Sequence, residues 1–206
     1  MSVLTKWSIR TRLMALLLLF TMGVAGLTWI TSVKQESSIM TERQAATRSV
    51  VQVALGVVQY FGGLQTSGKM TQAEAQKSAI DAVRGLRYSG QEYFWINDMH
   101  PTMVMHPIQP ELDGTDLTEN KDPNGKYLFV EFVTVVKAHG AGFVDYLWPK
   151  PGAANPQPKV SYVAGYQPWG WVIASGVYVD DVRTAALAAS RFLPAPSGLP
   201  SRQLTW

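Results

Sequence analysis

From Leu13 to Val33 the chain runs without a charged residue and is dominated by Leu, Met, Val, Ala and Phe, with Trp29 near its far end. At about 1.5 Å per helical residue, such a run crosses a hydrocarbon core roughly 30 Å thick. Lys6, Arg10 and Arg12 precede it, and no acid occurs in residues 1–33. This asymmetry predicts a cytoplasmic segment 1–12, a membrane span 13–33 and an exported remainder, with the Trp29 indole at the outer interface. A cleaved signal peptide shares the basic start, but its apolar region is shorter, and Val24-Ala-Gly26 is the nearest approach to a cleavage motif. The span is therefore read as an uncleaved anchor.

Beyond it the apolar period is helical. Ile39, Ala46, Val50, Val53, Val57 and Phe61 recur at helical steps, with Glu36, Glu42, Arg43 and Arg48 available to the opposite face. This predicts an amphipathic helix over 34–61 that continues the span directly and packs its stripe on its own domain, on a second copy, or on both. Gly62-Gly63 and Ser67-Gly68 predict a turn. Thr71-x-x-Glu74 is a capping box that opens a second helix, with Ala75, Ala79, Val83 and Leu86 as its stripe and an end near Arg87. The period then shortens to that of strands. Residues 92–97 and 102–106 predict a strand–turn–strand around Asn97-Asp-Met-His-Pro101, and 107–125, rich in Pro, Asp, Asn and Gly, a long loop. Leu128, Phe132, Val135 and Val136 fit a helix ending at Gly140, against a β-branched content that favours strand. Residues 142–148, 159–164 and 170–178 predict three more strands, the first two joined across the proline-rich 149–158. Helices over an antiparallel sheet, on one side of it, are the α+β solution.

Composition narrows the function classes. With no cysteine among 206 residues, a thiol nucleophile, a disulfide staple and cysteine-based metal sites are excluded. A net charge of +3 and a pI near 9.1 fit a nucleic-acid binder only if the charge lies on the domain. It does not: residues 34–182 hold twelve basic and fifteen acidic residues, a net −3, while Lys6, Arg10 and Arg12 belong to the membrane signal. Nucleic acid drops out as a partner.

Five motifs in one order carry a family resemblance: Tyr93-Phe-Trp-Ile-Asn-Asp98, Met105-His-Pro107, Asp122-Pro-Asn-Gly125, Gly142-Phe-Val-Asp-Tyr-Leu-Trp-Pro-Lys150 and Pro168-Trp-Gly-Trp-Val-Ile173. Residues 34–183 resemble a single Cache domain of the second subtype, the extracytoplasmic sensor of many methyl-accepting chemotaxis proteins and some sensor histidine kinases. The resemblance implies a PAS-like antiparallel sheet packed on a long N-terminal helix, a pocket for a small ligand such as acetate, propionate, pyruvate or lactate, and action as a dimer, here through 34–61. It places the chain in the inner membrane with its sensor outside. Such receptors continue into a second span and a cytoplasmic signalling region. Here an exit helix from Val179 to Leu193 meets Pro194-Ala-Pro-Ser-Gly-Leu-Pro200, so the expectation is a receptor truncated before its second span, with 184–206 an atypical tail.

A small carboxylate needs a fixed cation and hydrogen-bond donors in a mostly apolar pocket. Arg87 supplies a guanidinium suited to bidentate contact, or equally a cation at a helix C-terminus. Tyr93 and Trp95 alternate with Phe94 and Ile96, so the two pairs face opposite sides of the sheet, and the resemblance favours Tyr93 and Trp95 for the pocket. His106 is a candidate donor or a structural histidine. Tyr146, Trp148 and Lys150 alternate and are expected on one face, Lys150 as a ligand cation or as a solvated loop charge. Tyr162 and Tyr178 are weaker candidates, and Trp169 and Trp171 read as packing anchors. Asp98, His100 and His106 lack metal-site spacing. No nucleophile–base arrangement or phosphate loop is legible. The expectation is a binding module, without catalytic residues, metal or cofactor.

Overall fold

The computed structural model describes residues 8–90, 92–153, 155–181 and 184, with no side-chain description at 12 and 28–37. The chain divides into residues 1–39 and 40–206. Helix α1 is Ile9–Thr66. In the first unit its stretch Ile9–Leu27 has a mean hydropathy of 1.5 with none of it buried. Among the described residues this is the one helix long and apolar enough to cross a membrane. Lys6, the side chains of Arg12 and Trp29, and the tail from residue 185 lie outside the described residues; of the expected exit helix, 179–181 and 184 are helical.

In the second unit α1 buries Val51, Ala54 and Val58. The glycine pair does not turn the chain. The helix runs on to Thr66, and Gly62 serves instead as a close-packing site, where an added Cβ would sit 1.9 Å from the Tyr166 hydroxyl. Helix α2 (Gln72–Arg84) opens as the sequence predicts. Glu74 N–H donates to Thr71 Oγ1 at 3.3 Å, and Thr71 N–H donates to Glu74 Oε2 at 2.8 Å. It ends three residues before Arg87, which falls instead in a two-residue strand, β1 (Arg87–Tyr88), that the sequence reading did not anticipate.

The remaining elements are β2 (Glu92–Asp98), β3 (Met103–Met105), α3 (Leu128–His139), β4 (Ala141–Pro149), β5 (Pro156–Tyr166) and β6 (Trp171–Tyr178). The antiparallel sheet has the order β1-β2-β6-β5-β4, with β3 also on β2. The resolution of the 126–138 ambiguity is helical, closed by Gly140 at φ 75°, a left-handed value that a side chain would strain.

Both faces of the sheet are covered, which corrects the one-sided arrangement. Phe94, Ile96, Tyr162, Ala164, Trp171 and Ile173 pack with α1 and α2. Tyr93, Trp95, Tyr146, Val163, Val172 and Ala174 pack with Leu128, Phe129, Phe132 and Val136 of α3. The alternation of β2 thus sorts its side chains between two cores, and the second core holds the site.

The long loop before α3 is anchored by Leu117, buried in the second core, and held in shape by carboxylates. Asp122 Oδ1 accepts from Asn124 and Lys126 N–H at 2.9 and 3.0 Å, and its Oδ2 accepts from Leu147 N–H at 3.1 Å. These bonds hold its carboxyl below the usual carboxylate range. Asp113 joins two elements: Oδ1 accepts from His106 N–H at 2.6 Å and Oδ2 from Arg84 Nη2 at 3.0 Å. The loop between β2 and β3 is closed by Asp98, whose Oδ1 accepts from His100 and Thr102 N–H at 2.9 and 2.8 Å.

Candidate functional site: an aromatic gap around a buried lysine

Strand β5 puts Lys159 on the same face as Ser161 and Val163, and register sets it opposite Tyr146 on β4 and Tyr178 on β6. It is 1% exposed. Its ammonium lies 4.3 Å from the Tyr93 ring centroid, 4.7 Å from that of Tyr178 and 5.2 Å from that of Trp95. Nζ donates to the Tyr93 hydroxyl at 3.0 Å. None of the ion pairs among the described residues includes Lys159. An ammonium enclosed by three rings gains cation–π attraction of about 2 kcal/mol at best for each. That does not replace the hydration of a full charge.

Around it the polar groups are donors. The Trp95 indole N–H is buried without a hydrogen-bond partner. His106 Nδ1 accepts backbone N–H bonds from Gln109 at 2.9 Å and Ile108 at 3.3 Å. An imidazole that accepts at Nδ1 carries its proton at Nε2, so the ring offers a donor to the gap it lines. Burial first, and then the Lys159 charge, push the His106 pKa down to about 3, so the ring is neutral at physiological pH. The Tyr93 hydroxyl, having accepted from Lys159, keeps its own proton to give. Tyr146 and Ser161 share a hydrogen bond of 2.9 Å, and burial pushes the Tyr146 phenol well above its ordinary value.

Apolar walls complete the gap: Leu128, Phe129, Phe132 and Trp148. The rings pack edge to face, Phe132 on Tyr146 at 5.1 Å and Phe129 on Trp148 at 5.8 Å between centroids. The free volume inside is about 10 Å³, room for about one water. Beside it lies a vestibule of about 230 Å³, lined by Ile108, Gln109 and residues 149–153, that shares Tyr93, His106 and Trp148 with the gap. Trp148 is only partly buried and stands between the two spaces, so its rotation is the simplest way to admit a larger molecule.

The structure brings together Tyr93, Trp95, His106, Tyr146 and Trp148. It leaves three sequence candidates elsewhere. Arg87 is exposed and its Nη1 donates to the Arg84 and Leu86 carbonyls at 2.8 and 2.7 Å, closing the end of α2, the helix-terminal role of its two readings. Tyr162 points to the α1 face, where it packs on Phe143 at 4.8 Å and under the Arg48 guanidinium at 5.9 Å. Lys150 lies past the end of β4, so the strand alternation does not carry it to the Tyr146 face; it rims the vestibule and pairs with Asp180 and Asp181. The sequence reading missed Lys159. The signal available was its phase: two residues before Ser161 and four before Val163, a lysine on the inward side of a strand.

A family model described as single Cache domain 2 matches residues 39–191. The methyl-accepting chemotaxis protein McpP of Pseudomonas putida is 50% identical over 137 residues, which are 66% of this chain and 25% of that protein. The chain therefore spans about a quarter of that relative's length. The solved periplasmic sensor domain of a chemotaxis protein is 56% identical, with a TM-score of 0.68, over 68% of this chain and 98% of its own. A Cache chemosensory domain, solved to explain carboxylic acid recognition, is 49% identical with a TM-score of 0.67, over 70% of this chain and 98% of its own.

Proposed function

The chain belongs to the single Cache domain 2 family, as a sensor domain homologous to the periplasmic domains of chemotaxis receptors, and from that premise we propose that it binds a short organic acid in the gap around Lys159. One observation carries the reading: a buried ammonium, ringed by Tyr93, Trp95 and Tyr178, has donors beside it and no ion-pair partner among the described residues, Glu92 acting on it only at longer range. The group complementary to that arrangement is a small anion. One carboxylate oxygen is received by Lys159 and the Tyr93 hydroxyl, and the other by His106 Nε2–H or the Trp95 indole. Phe129, Phe132 and Trp148 take a hydrocarbon end of one or two carbons. Carboxylic acid recognition by the related Cache domain supports the same chemistry.

The site binds without turning its ligand over. Ser161 shares its hydrogen bond with Tyr146, Ser175 donates to the Tyr93 carbonyl at 2.6 Å, and His106 Nδ1 is engaged by backbone N–H groups. Calorimetry on the full chain in nanodiscs, with acetate, propionate, pyruvate and lactate against their uncharged amides, tests this. At least one acid is expected to bind, and the matching amide to bind at least tenfold more weakly. Equal binding of acid and amide, or of neither, overturns the reading.

The anchor is Ile9–Leu27 in the inner membrane, with the sensor periplasmic. Pairing of two copies is through α1. Ala46, Ser49, Val53, Gly56, Tyr60 and Gly63 are all exposed and alternate by three and four residues, the heptad spacing of a helix–helix seam. Single cysteines at Val53 and Tyr60 are expected to cross-link between copies in membranes, and one at Gln59, off the seam, not to; equal cross-linking at all three contradicts the pairing.

A further inference from the structure

Lys150 begins where β4 ends, on the 149–153 side of the vestibule. Its ammonium pairs with Asp181 and stands 3.6 Å from Asp180 Oδ2. It also lies 5.6 Å from the Tyr178 ring centroid. The Tyr178 hydroxyl donates to the Pro149 carbonyl at 2.9 Å. One wall of the vestibule is thereby tied, across 31 residues of sequence, to the last residue of β6 and to the helical residues that follow it. The same Tyr178 ring faces Lys159 from inside, so binding gap, vestibule loop and the segment after β6 form one continuous set of contacts.

Two features suit this set to switching. Exposed ion pairs are individually weak, so the ties exchange readily. There are also two carboxylates for one ammonium, and Asp180 keeps its Oδ1 buried without a hydrogen-bond partner. A shift of Lys150 from Asp181 towards Asp180 gives the segment a second discrete arrangement. Among the described residues, the other charged groups facing this region are Arg43 and Glu92, which line a cleft of about 380 Å³ together with Lys150 and Asp181.

We propose that Lys150, with Asp180 and Asp181, is a strap that makes the 149–153 loop and the helical residues after β6 move as one unit, so that a ligand passing Trp148 displaces residues 178–181. The regulatory half of this rests on the reading of the gap as the ligand site; the strap itself does not. A ligand that prefers one arrangement shifts the other end by that difference in affinity alone.

Hydrogen exchange on the full chain in nanodiscs separates the two. Without ligand, Lys150→Met and the double variant Asp180→Asn/Asp181→Asn are each expected to speed exchange at least threefold in both 150–155 and 177–181. The Lys150→Asp/Asp181→Lys swap is expected to restore the slow exchange. A variant that loosens only its own segment, or neither, overturns the strap. With acetate, the unsubstituted chain is expected to show slowed exchange in both segments. The Asp180→Asn/Asp181→Asn variant is expected to bind acetate within about threefold and lose the effect at 177–181. Full retention of that effect also overturns the proposal. Loosening of both segments by the variants, with no response of any chain to acetate, propionate, pyruvate or lactate, sinks the ligand reading and leaves the strap standing.

Discussion

Lys159→Met is expected to weaken acid binding by at least about 30-fold while leaving the thermal midpoint unchanged or raising it. The two effects have opposite causes. Losing one partner of a buried, hydrogen-bonded charge pair costs about 2–5 kcal/mol of affinity, roughly 30- to several-thousand-fold. The free protein, however, carries the cost of an ammonium that is 1% exposed and has no ion-pair partner among the described residues. Met matches the length of the lysine stem and packs well against Tyr93, Trp95 and Tyr178, and replacing buried charge by fitting apolar groups is often neutral or stabilising by about 1–4 kcal/mol. Thermal melts and calorimetry on the same preparation read both. A large fall in the midpoint with affinity intact would make Lys159 a structural residue.

The second large effect is an acid lability centred on His106. An unfolded histidine titrates near 6.5, whereas burial and the Lys159 charge hold His106 neutral in the fold down to about 3. Between these values the unfolded chain binds a proton that the folded chain refuses, so stability rises with pH and is lost as pH falls through that window. The loss is about 2 kcal/mol by pH 5 and on the order of 4 kcal/mol by pH 3. Asp122 is held below the ordinary carboxylate range and titrates later, whereas burial raises the Glu92 carboxyl, which takes its proton first in the fold and offsets part of the loss, so the comparison with a His106 variant is what isolates the histidine. Urea denaturation at pH 7 and pH 5 is expected to show this difference, and His106→Asn, whose Oδ1 replaces Nδ1 as acceptor for Ile108 and Gln109 N–H, to remove it. The same slope in both proteins would place the proton elsewhere.

Much of the fold is legible because its causes are local. The capping box at Thr71 and Glu74, the end of α3 at Gly140 and the alternation of β2 each depend on residues a few positions apart. That alternation also delivers Tyr93 and Trp95 to the right core. Trp148 and Tyr146 follow from the same rule on β4, until the strand ends and Lys150 escapes it. What stays hidden is non-local. Gly62 reads as a turn but is small because the Tyr166 hydroxyl packs on it from 104 residues away in sequence. Arg87 reads equally as a ligand cation or a helix-terminal one until the end of α2 at Arg84 shows whose carbonyls it caps. Lys159, set among Pro156, Gln157 and Pro158, has the look of a solvated turn lysine. Only the pairing of β5 with both β4 and β6, which begins at those prolines, puts its ammonium beneath three rings. Lys159 is thus the first residue of a predicted strand whose pairing begins three residues earlier, at Pro156.

The most direct measurement is a structure of the full chain with propionate bound. The account predicts a carboxylate with one oxygen about 2.7–3.2 Å from Lys159 Nζ. It predicts the other within the same distance of His106 Nε2 or Trp95 Nε1, with the ethyl group against Phe129, Phe132 and a rotated Trp148. Propionate bound instead at Arg87, or in the cleft between Arg43 and Glu92, with Lys159 still enclosed by its rings alone, would contradict it.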